Sequence, residues 1–259
     1  PYGICLVVGP TGSGKTTTLH SALGFINTED MKIWTAEDPV EITQRGLRQV
    51  QVQPKIDFTF ATAMRAFLRA DPDVIMVGEM RDHETAAIGV EASLTGHLVF
   101  STLHTNSAPE TITRLLDMDI DPFNFADALL GIMAQRLIRV LCPKCKEAYH
   151  PTPEEWDEVM DAYGRDYWPP EYVYGPDTML YRPKGCTACN NSGYKGRMGV
   201  HELLVASDEL KRAIQARSPI DQLRKLALDQ GMRTLLQDAI EKSIKGFSDI
   251  KQARAVAVK

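Results

Sequence analysis

Residues 9–16 read G-P-T-G-S-G-K-T, the G-x-x-x-x-G-K-[ST] spacing of a phosphate-binding loop. Glycines at these positions let backbone N–H groups turn into one concavity, and a following helix N-terminus adds partial positive charge to it. Lys15 would reach the β- and γ-phosphates of a nucleoside triphosphate, and the Thr16 hydroxyl would hold Mg²⁺. The candidate nucleotide-binding residues are Gly9, Pro10, Thr11, Gly12, Ser13, Gly14, Lys15, Thr16 and the adjoining Thr17. The bland alternative is a glycine-rich turn with a solvated lysine. An apolar run at 4–8 and a helix-compatible stretch at 17–25 supply the strand–loop–helix context that counts against it.

Further clusters follow in order. Glu37, Asp38 and Glu41 lie in A-E-D-P-V-E, directly after an apolar segment, where α/β sheets present ligand-facing residues. The apolar run 74–77 ends in G-E-M-R-D. An acidic residue there, Glu79, is placed to organise Mg²⁺ or an attacking water; a plain surface glutamate is its bland reading. A polar run, S-T-L-H-T-N, closes the segment at 98–102 and carries His104. Cys142/Cys145 and Cys186/Cys189 form two C-x-x-C pairs separated by 40 residues (146–185). Two such pairs can supply a closed tetrahedral Zn²⁺ site, with Lys144 and Lys146 favouring thiolates. A redox dithiol and free buried thiols are the competing readings. Cys5, inside the first apolar run, reads as a small buried hydrophobe.

These groups need elements to hold them. The first 140 residues alternate strand-like runs (4–8, 33–36, 49–52, 74–77, 98–102) with helical patterns (17–25, 61–69, 84–93, 109–116, 123–133). That alternation predicts crossover units and a largely parallel sheet, an α/β fold with a RecA-like P-loop NTPase core. Residues 149–183 are rich in Pro, Tyr, Asp and Glu, with a helix predicted at 153–163. The tail reads as helices at 208–217, 220–230 and 233–245, with Ser248-Asp249 capping a last one. The expected organisation is a core over 1–140, a tetracysteine metal-binding subdomain over 141–205, and a C-terminal helical subdomain over 206–259.

Composition is that of an ordinary globular chain, 44% hydrophobic and 24% charged. A net charge of −5 gives no overall basic field for nucleic acid or anionic lipid. No stretch approaches the roughly 18 apolar residues of a membrane span. The chain opens at Pro1, almost on its first strand, and reads as the C-terminal portion of a longer protein.

The phosphate loop, E-D-P-V-E, L-R-A-D-P-D-V-I-M-V-G-E-M-R-D, T-G-H-L-V-F-S-T-L-H-T-N and C-P-K-C…C-T-A-C resemble the secretion ATPase superfamily, specifically its type II secretion and type IV pilus assembly motors. The likeness runs from residue 3 to about 204, with the motifs in the family's order. The resemblance implies an ATPase using ATP and Mg²⁺ whose named elements fall on 9–16 (Walker A), 37–41 (aspartate box), Gly78-Glu79 (an atypical Walker B) and His104 (histidine box). It implies a γ-phosphate-sensing His104, and arginines near the nucleotide or a subunit boundary at Arg65, Arg69, Arg81 and Arg197. Arg65 and Arg69, spaced i, i+4, are expected on one helix face, and a solvated basic edge is the alternative for each. Glu37 and Glu41 are rival candidates for general base, and Asp38 could instead cap the turn at Pro39. The remaining histidines (20, 83, 97, 150 and 201) have no such context and are read as structural. Retraction motors generally lack the cysteines, so their presence favours an assembly or export motor. The family also implies a cytoplasmic hexameric ring acting on an inner-membrane platform protein to assemble pilin or pseudopilin, and an N-terminal domain that closes over the nucleotide. A nucleic-acid translocase on the same core, or a nucleotide-responsive scaffold with little turnover, are the alternative functions.

Overall fold

The computed structural model describes residues 2–257. In chain order the elements are β1 (Gly3–Val8), α1 (Lys15–Ile26), β2 (Ile33–Glu37), β3 (Leu47–Gln51), α2 (Phe60–Phe67), β4 (Val74–Val77), α3 (His83–Leu94), β5 (Leu98–Leu103), α4 (Ala108–Asp117), α5 (Pro122–Ala128) and β6 (Leu129–Leu141). Then come β7 (Glu147–Tyr149), α6 (Pro153–Tyr163), β8 (Leu180–Arg182), β9 (Tyr194–Val205), α7 (Asp208–Gln215), α8 (Ile220–Asp229), α9 (Leu235–Ile244) and α10 (Ile250–Ala257).

Chain contacts divide the molecule into two compact units, the first ending at Gln135 and regained over Leu203–Met232, the second formed by Arg136–Glu202 and the chain from Arg233. The first holds β3, β2, β4, β5 and β1, side by side in that order, and the first half of β6, which lies next to β1 and continues past Gln135 into the second unit, where most of β9 also belongs. The pairings of β1 with β5 and β6, of β2 with β3 and β4, and of β4 with β5 are all parallel. Strands that are apolar on both faces, such as the fully buried Val74-Ile75-Met76-Val77, suit a sheet covered by helices on either side. Leu19 and Leu23 of α1 pack on Val7, Ile33, Val74, Met76 and Leu98. Elsewhere α2, α3, α5 and α7 pack one against the next, and α4 against α8.

Three sequence expectations change. The helix expected over 123–133 stops at Ala128, and the chain continues as β6, pairing with β1 from Leu129 onward. Helix-forming Leu, Met, Ala and Gln are recruited into a strand because tertiary pairing outweighs propensity. The helix expected over 61–69 ends at Phe67, because its last turn tightens to i→i−3 bonds before Asp71, which precedes Pro72 and sits at φ 52°. The boundaries between units also fall elsewhere than at 140 and 205: α7 and α8 join the first unit, and α9 and α10 the second. Amphipathic periodicity identifies such helices but does not say what covers their apolar faces.

The second unit contains the hairpin β7–β8, paired Ala148 to Tyr181, and α9 packed on α6, α10 and β8. Trp168 stands edge-on to Trp156 at 5.5 Å and to Tyr163 at 5.3 Å, giving the segment between α6 and β8 an aromatic core. Phe125, fully buried on α5, anchors the α3–α5–α7 row of the first unit. Phe125→Ala is expected to lower stability by about 3–5 kcal/mol, read as a shifted urea midpoint for that unit.

Candidate functional site

One edge of the sheet gathers the sequence-predicted groups. Val8 is level with Leu103 and Ala134, Ala36 with Val77, and Val77 with Ser101. The residues that follow, Gly9, His104, Gln135, Glu37 and Gly78-Glu79, therefore share the carboxyl end of the strands, where open α/β sheets bind ligands. Main-chain and hydroxyl bonds knit the edge. Gly9 N–H donates to the Leu103 carbonyl (3.2 Å), Gly78 N–H to Ala36 (2.7 Å), and the Thr102 hydroxyl to Gly78 (2.6 Å).

The loop at 9–16 turns back into α1 through Gly14, at φ 88° and ψ 15°, a left-handed conformation that glycine adopts without steric cost. Side-chain oxygens cap α2 to α7 and α9, but none caps α1. Its first-turn N–H groups remain available to an anion. Ser13 Oγ is buried with no partner among the described residues. Lys15 Nζ donates to the carbonyls of Gly9 (2.8 Å) and Pro10 (3.2 Å). Burial lowers the Lys15 pKa from its usual value, while the charge of Glu79 acts to raise it. A half-buried ammonium, an unsatisfied hydroxyl and an uncapped helix end together fit a polyphosphate. Thr16 is half-buried beside them and Thr17 is exposed.

Glu79 is paired on both oxygens. Its Oε2 accepts from Arg81 Nε at 2.5 Å, and its Oε1 lies 3.3 Å from His104 Nε2. The hydrogen bond to Glu79 raises the Arg81 pKa, with Asp38 adding a smaller attraction. Glu37 is 4% exposed and both of its carboxylate oxygens are hydrogen-bonded. Oε1 accepts from the Thr35 hydroxyl (2.6 Å) and Gln49 Nε2 (3.0 Å), and Oε2 lies 3.2 Å from His20 Nε2. Glu41 is exposed. Arg65 pairs with Glu84 on α3, while Arg69 sits in the turn beyond α2, so the two do not continue one helix face. Arg197 lies on β9 within the second unit. Among the described residues Glu41, Arg69 and Arg197 have no ion-pair partner.

The four cysteines converge in the second unit, with all Sγ atoms within 4.8 Å of one another. Cys142–Cys186, Cys145–Cys189 and Cys186–Cys189 are 4.0, 3.8 and 3.8 Å apart. Sulfurs about 2.3 Å from a tetrahedral Zn²⁺ are about 3.8 Å from each other, so the set fits that ion. None is in a disulfide. Burial works to raise the Cys189 thiol, but N–H donors from Cys186 and Gly193, together with the Cys145 and Cys186 thiols, outweigh it and leave the pKa lowered to about 6. Cys145 is pushed up to about 12 by burial and by the three thiols around it. Lys146, expected to favour thiolates, instead donates to the Gly246 carbonyl and lies over the Tyr181 ring. Backbone N–H groups do the work assigned to it. Cys5, partly buried in β1, has its thiol pushed up to about 11 by burial and reads as packing.

Residues 1–255 match the protein family described as Type II/IV secretion system protein. The chain belongs to that family. Type II secretion system protein E of Dickeya dadantii is 48% identical over 248 residues, 96% of this chain and 47% of that relative. Type IV pilus assembly ATPase PilB of Thermus thermophilus is 46% identical over 255 residues, 98% of this chain and 28% of its own length. The chain thus spans about half the length, or less, of these relatives. The crystal structure of the pilus retraction motor PilT with bound ADP matches with a TM-score of 0.69 and 29% identity, covering 100% of this chain and 62% of that one. That of the Legionella pneumophila ATPase DotB gives 0.67 and 25%, covering 99% and 60%.

In this family member, sequence reasoning passed over two residues that reach the edge. His20 on α1, read as structural, lies on Glu37, and its Nδ1 is 3.0 Å from the Gln44 side-chain amide. Gln135 of β6 reaches the loop at 9–16, where its Nε2 donates to the Ser13 carbonyl. His20 has a legible signal only in hindsight: it stands one helical turn beyond Thr16, on the helix the loop begins. His83, His97 and His150 each meet a main-chain carbonyl, in keeping with a structural reading. His20→Ala would leave a buried carboxylate short of a donor and is expected to cost about 1–3 kcal/mol, measurable by urea unfolding. Glu37→Gln in the same background should recover part of that loss, because a neutral amide is cheaper to leave underbonded.

Proposed function

We propose that this chain is the nucleotide-hydrolysing portion of a motor that couples Mg²⁺-dependent ATP hydrolysis to pilin or pseudopilin assembly, in type IV pilus biogenesis or type II secretion. The motor would be a cytoplasmic hexameric ring acting on a platform protein of the inner membrane. The observation that carries the reading is the clustering of Lys15, Glu79 and His104 on one edge of a parallel sheet, within the matched family. Among the described residues no helix is long and apolar enough to cross a membrane.

On this reading residues 9–17 form the P-loop of a RecA-like core. Lys15 would leave the carbonyls of Gly9 and Pro10 to bind phosphate, and Thr16 would hold Mg²⁺. When bound, Mg²⁺ would neutralise charge on the phosphates. Glu79, half-buried and bracketed by Arg81 and His104, would orient the attacking water or the metal's water shell. A carboxylate already paired on both oxygens keeps its position when the γ-phosphate changes, and His104 would report that change. Of the two rival bases, Glu37 is buried with both oxygens engaged by Thr35, Gln49 and His20 and would hold the edge in shape. Glu41, exposed and unpaired, remains the free carboxylate. Arg65, Arg69 and Arg197 would act on a neighbouring subunit's nucleotide. Phosphoryl transfer needs such cations because negative charge spreads over the γ-phosphoryl oxygens. Cys142, Cys145, Cys186 and Cys189 would hold Zn²⁺ as a structural ion in the second unit.

Hydrolysis of Mg²⁺-ATP per subunit is expected to rise with protein concentration, to fall by about 10²–10³-fold in Lys15→Ala, and to ignore added DNA. Stimulation by DNA would overturn the motor reading in favour of a translocase. Freshly purified protein is expected to carry one zinc per chain. Cys186→Ser should lose it and lower the unfolding midpoint of the second unit while ADP affinity stays unchanged, since isolated zinc modules owe about 10–16 kcal/mol to the ion. Metal analysis without zinc would remove the structural-ion assignment.

A further inference from the structure

Gln135 is 3% exposed, and both ends of its amide are occupied at the phosphate-binding loop. Nε2 donates to the Ser13 carbonyl at 2.7 Å, and Oε1 accepts from the Thr18 hydroxyl at 2.7 Å. The backbone beside it is equally close: a Cβ on Gly9 would collide with the Gln135 carbonyl oxygen. Gln135 follows Ala134, which is level with Val8, so the strand pairing of β1 and β6 delivers this side chain to the loop.

A trans peptide unit is planar, with its C=O and N–H pointing in opposite directions. A donor fixed on the Ser13 oxygen therefore also fixes the Gly14 N–H, aiming it away from Gln135. The glycine itself gives no such preference. Free of a Cβ, Gly14 permits the Ser13–Gly14 peptide to rotate between orientations at little cost. One orientation offers an N–H to a phosphate and the other offers a carbonyl, which repels it. The neighbouring contacts do not decide the matter, since Ser13 N–H is spent on Pro10 and the Ser13 hydroxyl is unpartnered.

We infer that Gln135 is a positioning residue for polyphosphate binding: by holding the Ser13 carbonyl it locks the Ser13–Gly14 peptide in the phosphate-accepting orientation. This rests on the nucleotide-binding reading of residues 9–16. Thr18 completes the device. The Ser13 carbonyl can only accept and so takes the N–H₂ end of the amide, and the Thr18 hydroxyl donates to the oxygen end that is left.

The test is equilibrium binding of a fluorescent ADP analogue with Mg²⁺, from pH 5 to pH 8, to the wild-type chain, Lys15→Ala, Gln135→Met and Gln135→Glu. Thermal unfolding of each variant is followed in parallel. Gln135→Met removes the donor and should weaken binding about tenfold, the loss expected for one buried hydrogen bond. Gln135→Glu keeps the shape. Its carboxyl can donate to Ser13 only when protonated, so affinity should be poor at pH 8 and recover as pH falls, against a flatter wild-type profile. A residue acting only through packing would not produce that recovery. Wild-type-like affinity in folded Gln135→Met, or a pH profile of Gln135→Glu parallel to the wild type, would overturn the inference. Wild-type binding that is absent or indifferent to Lys15→Ala would overturn the nucleotide reading and the inference with it.

Discussion

The buried hydroxyls of Ser101 and Thr102 donate to the carbonyls of Val77 and Gly78, at 2.8 and 2.6 Å, and so fix where β4 ends relative to β5. Main-chain pairing alone repeats every two residues and tolerates slippage where both faces are apolar. Two side-chain bonds to successive carbonyls of the partner strand do not. From that fixed point the chemistry follows by short extension: Glu79 is one residue past Gly78, and His104 is two past Thr102. Their 3.3 Å approach is a consequence of register rather than of any long-range attraction. Their residual exposure, 15% for Glu79 and 44% for His104, means that solvent would pull the pair apart if the strands did not hold it.

The two acidic positions of the edge are built in opposite ways. Glu37 sits at 4% exposure with three donors, a network whose value depends on being complete, because low surrounding polarity penalises any missing partner. Glu79 has two partners, Arg81 and His104, both themselves exposed and free to exchange. A rigid carboxylate suits the task of holding α1 and β2 together. A carboxylate with displaceable partners suits chemistry in which water and phosphate come and go.

Much of this was legible in the sequence where the signal is local. The glycine turn into α1, the strand runs at 4–8 and 74–77, and the helix at 153–163 are each specified by neighbouring residues, through glycine conformations, β-rich runs and caps such as Thr152. The cysteine pairs were legible as chemistry, yet the backbone donors on Cys189 were not, since they depend on the turn that brings Gly193 back. What escaped is nonlocal. Leu129-Leu130-Gly131-Ile132-Met133-Ala134 looks helical until β1 is available to pair with it. His20 and Gln135 carry no motif, because their importance lies in partners 17 and 122 residues away.

Those two residues also explain how one helix can be held still at a loop that has three glycines among its eight residues. Thr18 and His20 are two positions apart on α1, a rotation of about 200°, so they leave the helix on opposite sides. Thr18 meets Gln135 on β6, and His20 meets Glu37 on β2. In the sheet order β6 lies on one flank of β1 and β2 on the other, four strand spacings or about 19 Å apart. Any rolling of α1 toward one flank would stretch the bond to the other. The helix that begins at Lys15 is therefore braced across the sheet by two polar ties, one buried and one partly buried, and the glycine-containing loop before it inherits a fixed end.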